Sequence, residues 1–226
     1  GALRMDELAT SMLDADSDIP ANDTRWSITL FPFFVAEKFP AYDVFQDFLI
    51  TISTIARDNP SLKFLIKPKG PERQFNPWLK LANDTAIAHG INLADYPNLE
   101  IDYDIDAQKA IQQSSVVCGL NSTTILEAGA AGKPVIIPSY GSLLKPKCRN
   151  QLIAIPEYSV YDIVHSKEEL RSKLLEKMED PFVPVEIREK RRKVLEKYCG
   201  QLDGKIVDLF VEKVRECVSN KPPRAT

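Results

Sequence analysis

Between positions 26 and 138 the chain alternates short apolar, β-rich runs with longer stretches in which apolar residues recur every three or four positions. Such alternation predicts βαβ units around a mostly parallel sheet. "SITLFPFF" (27–34) reads as a buried strand, and the stretch at about 42–57 sets Val44, Phe45, Phe48, Leu49, Ile52 and Ile55 on one helical face. "LKFLIKPK" gives the next strand, followed by a helix at about 78–89, "LEIDYD" as a strand and a short helix at 106–113. "SVVCGL" is then a strand, "TTILEAGAAG" a helix and "PVIIPS" a strand. Joined by right-handed crossovers, these elements form a doubly wound, Rossmann-like α/β sheet.

Past position 139 the pattern weakens into the loop "YGSLLKPKCRNQLIAIPEYS", and "VYDIVHSKEELRSKLLEKM" reads as one last short strand and a Ser-capped helix. Two charged helices are expected at about 185–198 and 202–218, before the polar tail "SNKPPRAT". The organisation expected is an acidic lead-in at 1–25, one Rossmann-like unit at 26–218 and a disordered tail at 219–226.

With 226 residues, 44% of them apolar, the chain can bury a full core. A formal net charge of -3 argues against general nucleic-acid binding, although a local basic patch could hold one phosphorylated ligand. Cys118, Cys148, Cys199 and Cys217 form no CxxC pair, and His89 and His165 are isolated, so no metal site is expected. Reduced thiols, no signal-type apolar segment and no apolar run near the roughly 20 residues that span a bilayer point to the cytoplasm. In that compartment the N-x-[ST] tripeptides at Asn22, Asn83 and Asn121 carry no glycosylation meaning.

Chemistry is sought beyond the carboxyl ends of the strands, where open α/β sheets bind ligands. There "GLNSTTILEAGAAGKPVIIP" (119–138) passes from strand to helix with almost no connection, leaving unpaired N–H groups and a positive dipole end at Ser122, Thr123 and Thr124. A phosphate fits such a place. Thr124 with Glu127 also spells a capping box, and Asn121 or Ser122 could cap the helix with no ligand. Spacing alone leaves both readings open.

The string "NSTTILEAGAAGKPVIIP", preceded by "IQQSSVVCG", resembles the nucleotide-binding half of GT-B-fold glycosyltransferases. The resemblance is greatest to the surface-polysaccharide branch near the CDP-glycerol glycerophosphotransferases, and extends to the related UDP-N-acetylglucosamine 2-epimerases. It implies diphosphate binding by Ser122, Thr123 and Thr124, and ribose binding by Glu127. "FLIKPKGPERQ" resembles the "IKPHP" segment of that branch, which implies a donor contact for Lys67 and Arg73, with Lys69 where the family has histidine. "GALRMDEL" resembles the "G-x-P-R-x-D" segment joining the two GT-B domains, with Leu3 in place of proline. On that resemblance the chain starts at the linker and lacks the first domain, which usually supplies the catalytic base.

The resemblance further implies a UDP-, CDP- or CMP-linked sugar donor, a glycan acceptor, transfer without metal or cofactor, and work in bacterial surface-polysaccharide synthesis at the inner face of the membrane. In such folds the loop after "LEIDYD" lies over the base, which draws attention to Tyr103 and Ile105. "TLFPFF" stands where backbone approaches the donor, which adds Pro32 and Phe33, although packing explains them equally. Lys145, Lys147 and Arg149 could neutralise a pyrophosphate or simply face water. Asp102-Tyr103-Asp104 spells a DxD but falls at a strand end, where Asp104 or Asp106 can cap the next helix. A 2-epimerase half and a non-enzymatic flavodoxin-like domain are the alternatives.

Overall fold

The computed structural model describes residues 25–33, 41–68, 80, 84–120, 122–150, 158–199 and 203–219. Six parallel strands form its sheet: β1 Trp26–Phe31, β2 Phe64–Ile66, β3 Leu99–Ile101, β4 Ser114–Gly119, β5 Val135–Pro138 and β6 Asp162–Val164. Their order is β3-β2-β1-β4-β5-β6. This is the order of two mononucleotide-binding halves joined back to back, whereas a flavodoxin-like sheet runs 2-1-3-4-5. The expected Rossmann-like doubly wound sheet is therefore present.

The strands are near-continuous apolar runs because helices cover both faces of the sheet. Ile28, Leu30, Phe64, Leu65, Ile66, Val116, Val117, Val135 and Ile136 are almost wholly buried. Register is set by pairs such as Leu30 with Ile66 on one side of β1 and Leu30 with Cys118 on the other. The first strand stops at Phe31, short of the expected 34. Pro32 has no N–H for the ladder, and a proline is tolerated just beyond a strand but not inside a central one.

Helices α1 (Tyr42–Asp58), α2 (Ala107–Gln112), α3 (Thr123–Ala130), α4 (Pro146–Arg149), α5 (Lys167–Glu179), α6 (Val185–Cys199) and α7 (Ile206–Ser219) complete the fold. Right-handed crossovers that leave the middle of the sheet in opposite directions put their helices on opposite faces. Accordingly α1 packs with α5, while α3 packs with α2 and α6. The apolar face read from the sequence of α1 is the buried one, with Val44, Phe45, Phe48, Leu49, Ile52 and Ile55 in the core. Ser166 caps α5 through the Glu169 N–H, as expected, and Glu169 accepts in return from the His165 N–H at 2.6 Å.

The helix expected at 78–89 is seen as a helical segment at 84–88, its earlier part lying largely outside the described residues. The expected lead-in and tail lie outside them too, except for Arg25 and Ser219. Arg25 joins the fold: its guanidinium bonds Glu100 at 3.0 Å and lies over the Trp26 ring, tying the start of β1 to β3. Cys118, Cys148 and Cys217 are free thiols, the first two buried.

Candidate functional site

The chain leaves β1 toward one face of the sheet and leaves its neighbour β4 toward the other, which opens a crevice at their carboxyl ends. Gly119, the last residue of β4, lets the two ends approach: a Cβ there would lie 3.1 Å from the Phe31 carbonyl oxygen and 3.3 Å from its Cβ. Helix α3 begins four residues later, at Thr123. Its positive end faces this crevice.

Ser122 is the cap of α3. Its backbone is extended (φ -136°, ψ 145°), and its hydroxyl accepts the Thr124 N–H at 3.2 Å. The Ser122 and Thr124 hydroxyls lie 2.6 Å apart, and the Ile125 N–H donates to the Ser122 carbonyl at 3.1 Å. Thr123, the first helical residue, is exposed. The capping box expected from Thr124 and Glu127 is not formed, because Thr124 is already inside the helix and Ile125 stands where the box needs its Glu. Glu127 is one turn further on, in the i+4 position from Thr123, and is 5% exposed.

The Asn121 and Arg73 positions fall outside the described residues. Lys67, at the end of β2, is 8% exposed, and its ammonium donates to the Pro68 carbonyl at 2.9 Å and the Tyr103 carbonyl at 2.7 Å. Burial holds its pKa below the ordinary lysine value, opposed by the nearby carboxylates of Asp102, Asp104 and Asp106. β1 stands between β2 and β4, so Lys67 and the start of α3 follow strands that are not neighbours in the sheet. The side-chain hydrogen bonds of Lys67 thus join it to Pro68 and Tyr103.

Tyr103 and Ile105 sit in the turn after β3. One carboxylate oxygen of Asp102 accepts the N–H groups of Asp104 at 2.8 Å and Ile105 at 2.9 Å, while Asp106 caps α2 through Gln108 and Lys109. Ile105 packs against the main core. Of the residues after β1, Pro32 is half-buried, and Phe33 packs edge-on against Phe45 and Phe48 with centroids 6.2 and 5.8 Å away. Phe33 therefore serves the core. Lys145, Lys147 and Arg149 are exposed on the loop and short helix after β5.

Two arrangements, one beside the crevice and one at the opposite edge of the sheet, went unforeseen in the sequence. In the first, Asp43 accepts the Ser142 N–H at 2.9 Å with one oxygen and the Ser142 hydroxyl with the other, drawing the loop after β5 onto the start of α1. Burial pulls the Asp43 pKa upward, but these bonds outweigh it and leave the carboxyl below its usual value. Gly141 allows the contact, with φ +57° and no side chain where a Cβ would run into Asp43 Oδ2. The second arrangement holds α3 from its far end: a Cβ on Gly129 would lie 2.7 Å from the Tyr161 hydroxyl. Arg191 of α6 stacks on that ring and donates to the Val160 and Lys133 carbonyls at 2.9 and 2.8 Å. The one local signal for either was a glycine at an unexplained position.

No family model and no curated protein matches this chain. Solved structures do. A variant of the wall teichoic acid polymerase TagF superposes with a TM-score of 0.55 at 15% identity, over 98% of this chain and 52% of that one. A candidate UDP-N-acetylglucosamine 2-epimerase from Listeria monocytogenes gives 0.51 at 15% identity over 96% and 52%, respectively. The UDP-forming α,α-trehalose-phosphate synthase from Burkholderia xenovorans gives 0.51 at 8% identity over 93% and 50%. The fold is that of one part of these proteins. The chain spans about half the length of each. Among the described residues, no group of His, Cys, Asp and Glu side chains has the arrangement of a metal site, and no helix is long and apolar enough to cross a membrane.

Proposed function

We propose that this chain is the nucleotide-donor-binding half of a GT-B-type glycosyltransferase or polyol-phosphate transferase. The observation that carries the reading is the start of α3, which follows β4 at the point where the strand order reverses, with Ser122, Thr123 and Thr124 at its positive end. The Thr123 N–H, the hydroxyls and the positive end of the helix are fixed before any ligand arrives and suit the two negative phosphates of a nucleotide diphosphate, whereas the Thr124 and Ile125 N–H groups already donate to Ser122. The same donors would stabilise the charge that gathers on the diphosphate as it leaves, which is catalysis by preorganised electrostatics. Glu127, buried one turn along the same helix, supplies an acceptor for ribose hydroxyls.

In this reading Ser122 has two duties, since its hydroxyl caps the helix and also stands beside Thr124 at the anion seat. Exposed Lys145, Lys147 and Arg149 on the neighbouring loop add positive potential. The binding site of the glycan acceptor, the base that activates it and the second wall of the cleft would come from another domain of the same protein. Transfer from a UDP-, CDP- or CMP-linked donor without metal, at the cytoplasmic face of a membrane and in surface-polysaccharide synthesis, is the corresponding cellular role. The GT-B likeness of TagF and the quoted 119–138 motif support it.

Calorimetric titration with UDP, CDP, CMP and GDP tests the reading. At least one nucleotide is expected to bind, with affinity lost in Glu127→Ala and in the Ser122→Ala, Thr123→Ala double variant. No binding at millimolar nucleotide to a folded chain would refute it.

A further inference from the structure

We propose that the segment after β5, together with the start of α1, is a docking surface for an anionic lipid bilayer. Leu144 and Tyr42 enter the headgroup layer, and Lys145, Lys147 and Arg149 meet its phosphates. The inference deepens the membrane-face part of the reading above and needs no nucleotide at the α3 start. Its first support is charge. From position 128 to 150 the sequence carries Lys133, Lys145, Lys147 and Arg149 and no aspartate or glutamate, in a chain with 32 acidic residues and a net charge of -3. Lys133 is buried, whereas the other three are exposed. The carboxylate bonded to this segment, Asp43, has both of its oxygens on Ser142.

The second support is the way the segment is built. A 3-10 turn at Gly141–Leu144 leads into α4, and Leu143 and Cys148, each 1% exposed, fasten the two to the core. Leu144, beside Leu143, is 57% exposed, and Tyr42, beside Asp43, is 43% exposed. Both belong to residues within two positions of the contact between Asp43 and Ser142, which ties their backbones together. A lone exposed leucine is ordinary on a protein surface. One fixed among three cations and a tyrosine has the make-up of an interfacial anchor: the apolar side chain enters between headgroups, the ring rests at their level, and lysine and arginine reach the phosphates.

Attraction between charges alone does not choose among polyanions, so Leu144 is what distinguishes a bilayer from RNA or free phosphate. The cations of α6 make a contrast. Lys190, Arg192 and Lys193 share that helix with Glu186, Glu189 and Glu196, and Arg192 bonds Glu196 at 3.0 Å. Their charge is offset locally, whereas that of Lys145, Lys147 and Arg149 has no acidic residue beside it in the sequence.

Sedimentation of the intact chain with vesicles of phosphatidylcholine, alone or with about one-third phosphatidylglycerol, tests the proposal. Binding is expected on the anionic vesicles only, and to be lost as salt rises to about 0.5 M. Lys145→Gln, Lys147→Gln and Arg149→Gln are each expected to lower partitioning roughly fivefold, and together about a hundredfold. Leu144→Asn is expected to lower it roughly tenfold. Lys190→Gln with Lys193→Gln, on α6, is expected to keep it within about twofold. These side chains are exposed, and thermal melts matching wild type establish that each variant is folded.

No binding to anionic vesicles, equal binding to both kinds, or an equal loss in the α6 variant overturns the proposal. Binding that Leu144→Asn leaves unchanged makes the segment a site for polyanions at large, RNA and free phosphate included, and overturns it as well. A chain that takes nucleotide but no vesicles defeats this inference alone. One that takes vesicles but no nucleotide supports it while defeating the donor reading.

Discussion

Asp43 holds Ser142 with both carboxylate oxygens across 99 residues of sequence, one oxygen on the backbone N–H and one on the hydroxyl. The contact fixes the loop that carries Lys145 beside the crevice. Asp43→Ala is expected to lower stability by about 1 kcal/mol, a value reduced from that of a buried charged bond because Asp43 faces solvent. Gly141→Ala is expected to cost about 1–2 kcal/mol, since φ +57° strains any side chain and the new methyl meets the Asp43 carboxylate. The sign with pH follows from the lowered Asp43 pKa: the contribution is present above pH 3.8 and is lost as pH falls through the native value. Urea melts of both variants and of wild type between pH 3 and 7 check this.

Gly129 illustrates a substitution in which helix propensity gives the wrong sign. Alanine is better than glycine inside a helix by about 1 kcal/mol, yet here its methyl would lie 2.7 to 2.8 Å from atoms of the Tyr161 ring. That ring is held by the Arg191 guanidinium and is not free to retreat. Gly129→Ala is expected to destabilise by about 1–3 kcal/mol in chemical denaturation. A variant more stable than wild type would show that α3 does not press on Tyr161.

Lys133 sits in the turn after α3 with its ammonium on the Gln112 carbonyl at 2.9 Å, and burial brings its pKa down to about 8 from 10.5. Between those values the unfolded chain binds a proton that the native chain lacks. Stability therefore rises with pH across the window, by at most about 1.4 kcal/mol per unit, and below pH 8 the cost of the buried charge is fully present. Lys133→Met is expected to be more stable than wild type by about 1–2 kcal/mol at pH 7, with the gap closing by pH 10. Parallel stability profiles for the two proteins would contradict the assignment.

What could be read in the sequence was what repeats locally. The apolar strands and the buried face of α1 were legible because burial on a sheet or along one stripe leaves a period in the chain. The start of α3 was legible to within two residues, yet Thr124 and Glu127 match a capping box by spacing while the extended backbone at Ser122 places the real cap earlier. Lys67 was legible as a charged residue at a strand end, but not as a bridge to Tyr103, because the bond spans 36 residues. The Asp43 latch on Ser142 and the Arg191 contact with the Lys133 carbonyl left no periodic trace for the same reason.

Cap and seat can be separated on α3. Ser122→Ala removes the hydroxyl that accepts the Thr124 N–H and is expected to cost about 1 kcal/mol, with Ser122→Gly costing only a few tenths. Thr123 is exposed and makes no cap bond, so Thr123→Ala is expected to leave the melting temperature within about 2 °C of wild type. Thermal melts without ligand, paired with nucleotide titrations, then distinguish loss of binding from loss of the helix.

The central claim, that the start of α3 seats a diphosphate, is tested most directly by amide chemical shifts of the intact chain titrated first with pyrophosphate and then with the tightest-binding nucleotide. The Thr123, Thr124 and Ile125 amides are expected to move together with both ligands and to saturate at the calorimetric dissociation constant. Amides that stay fixed there while the ligand binds elsewhere, or no shift anywhere at millimolar ligand, would contradict the claim.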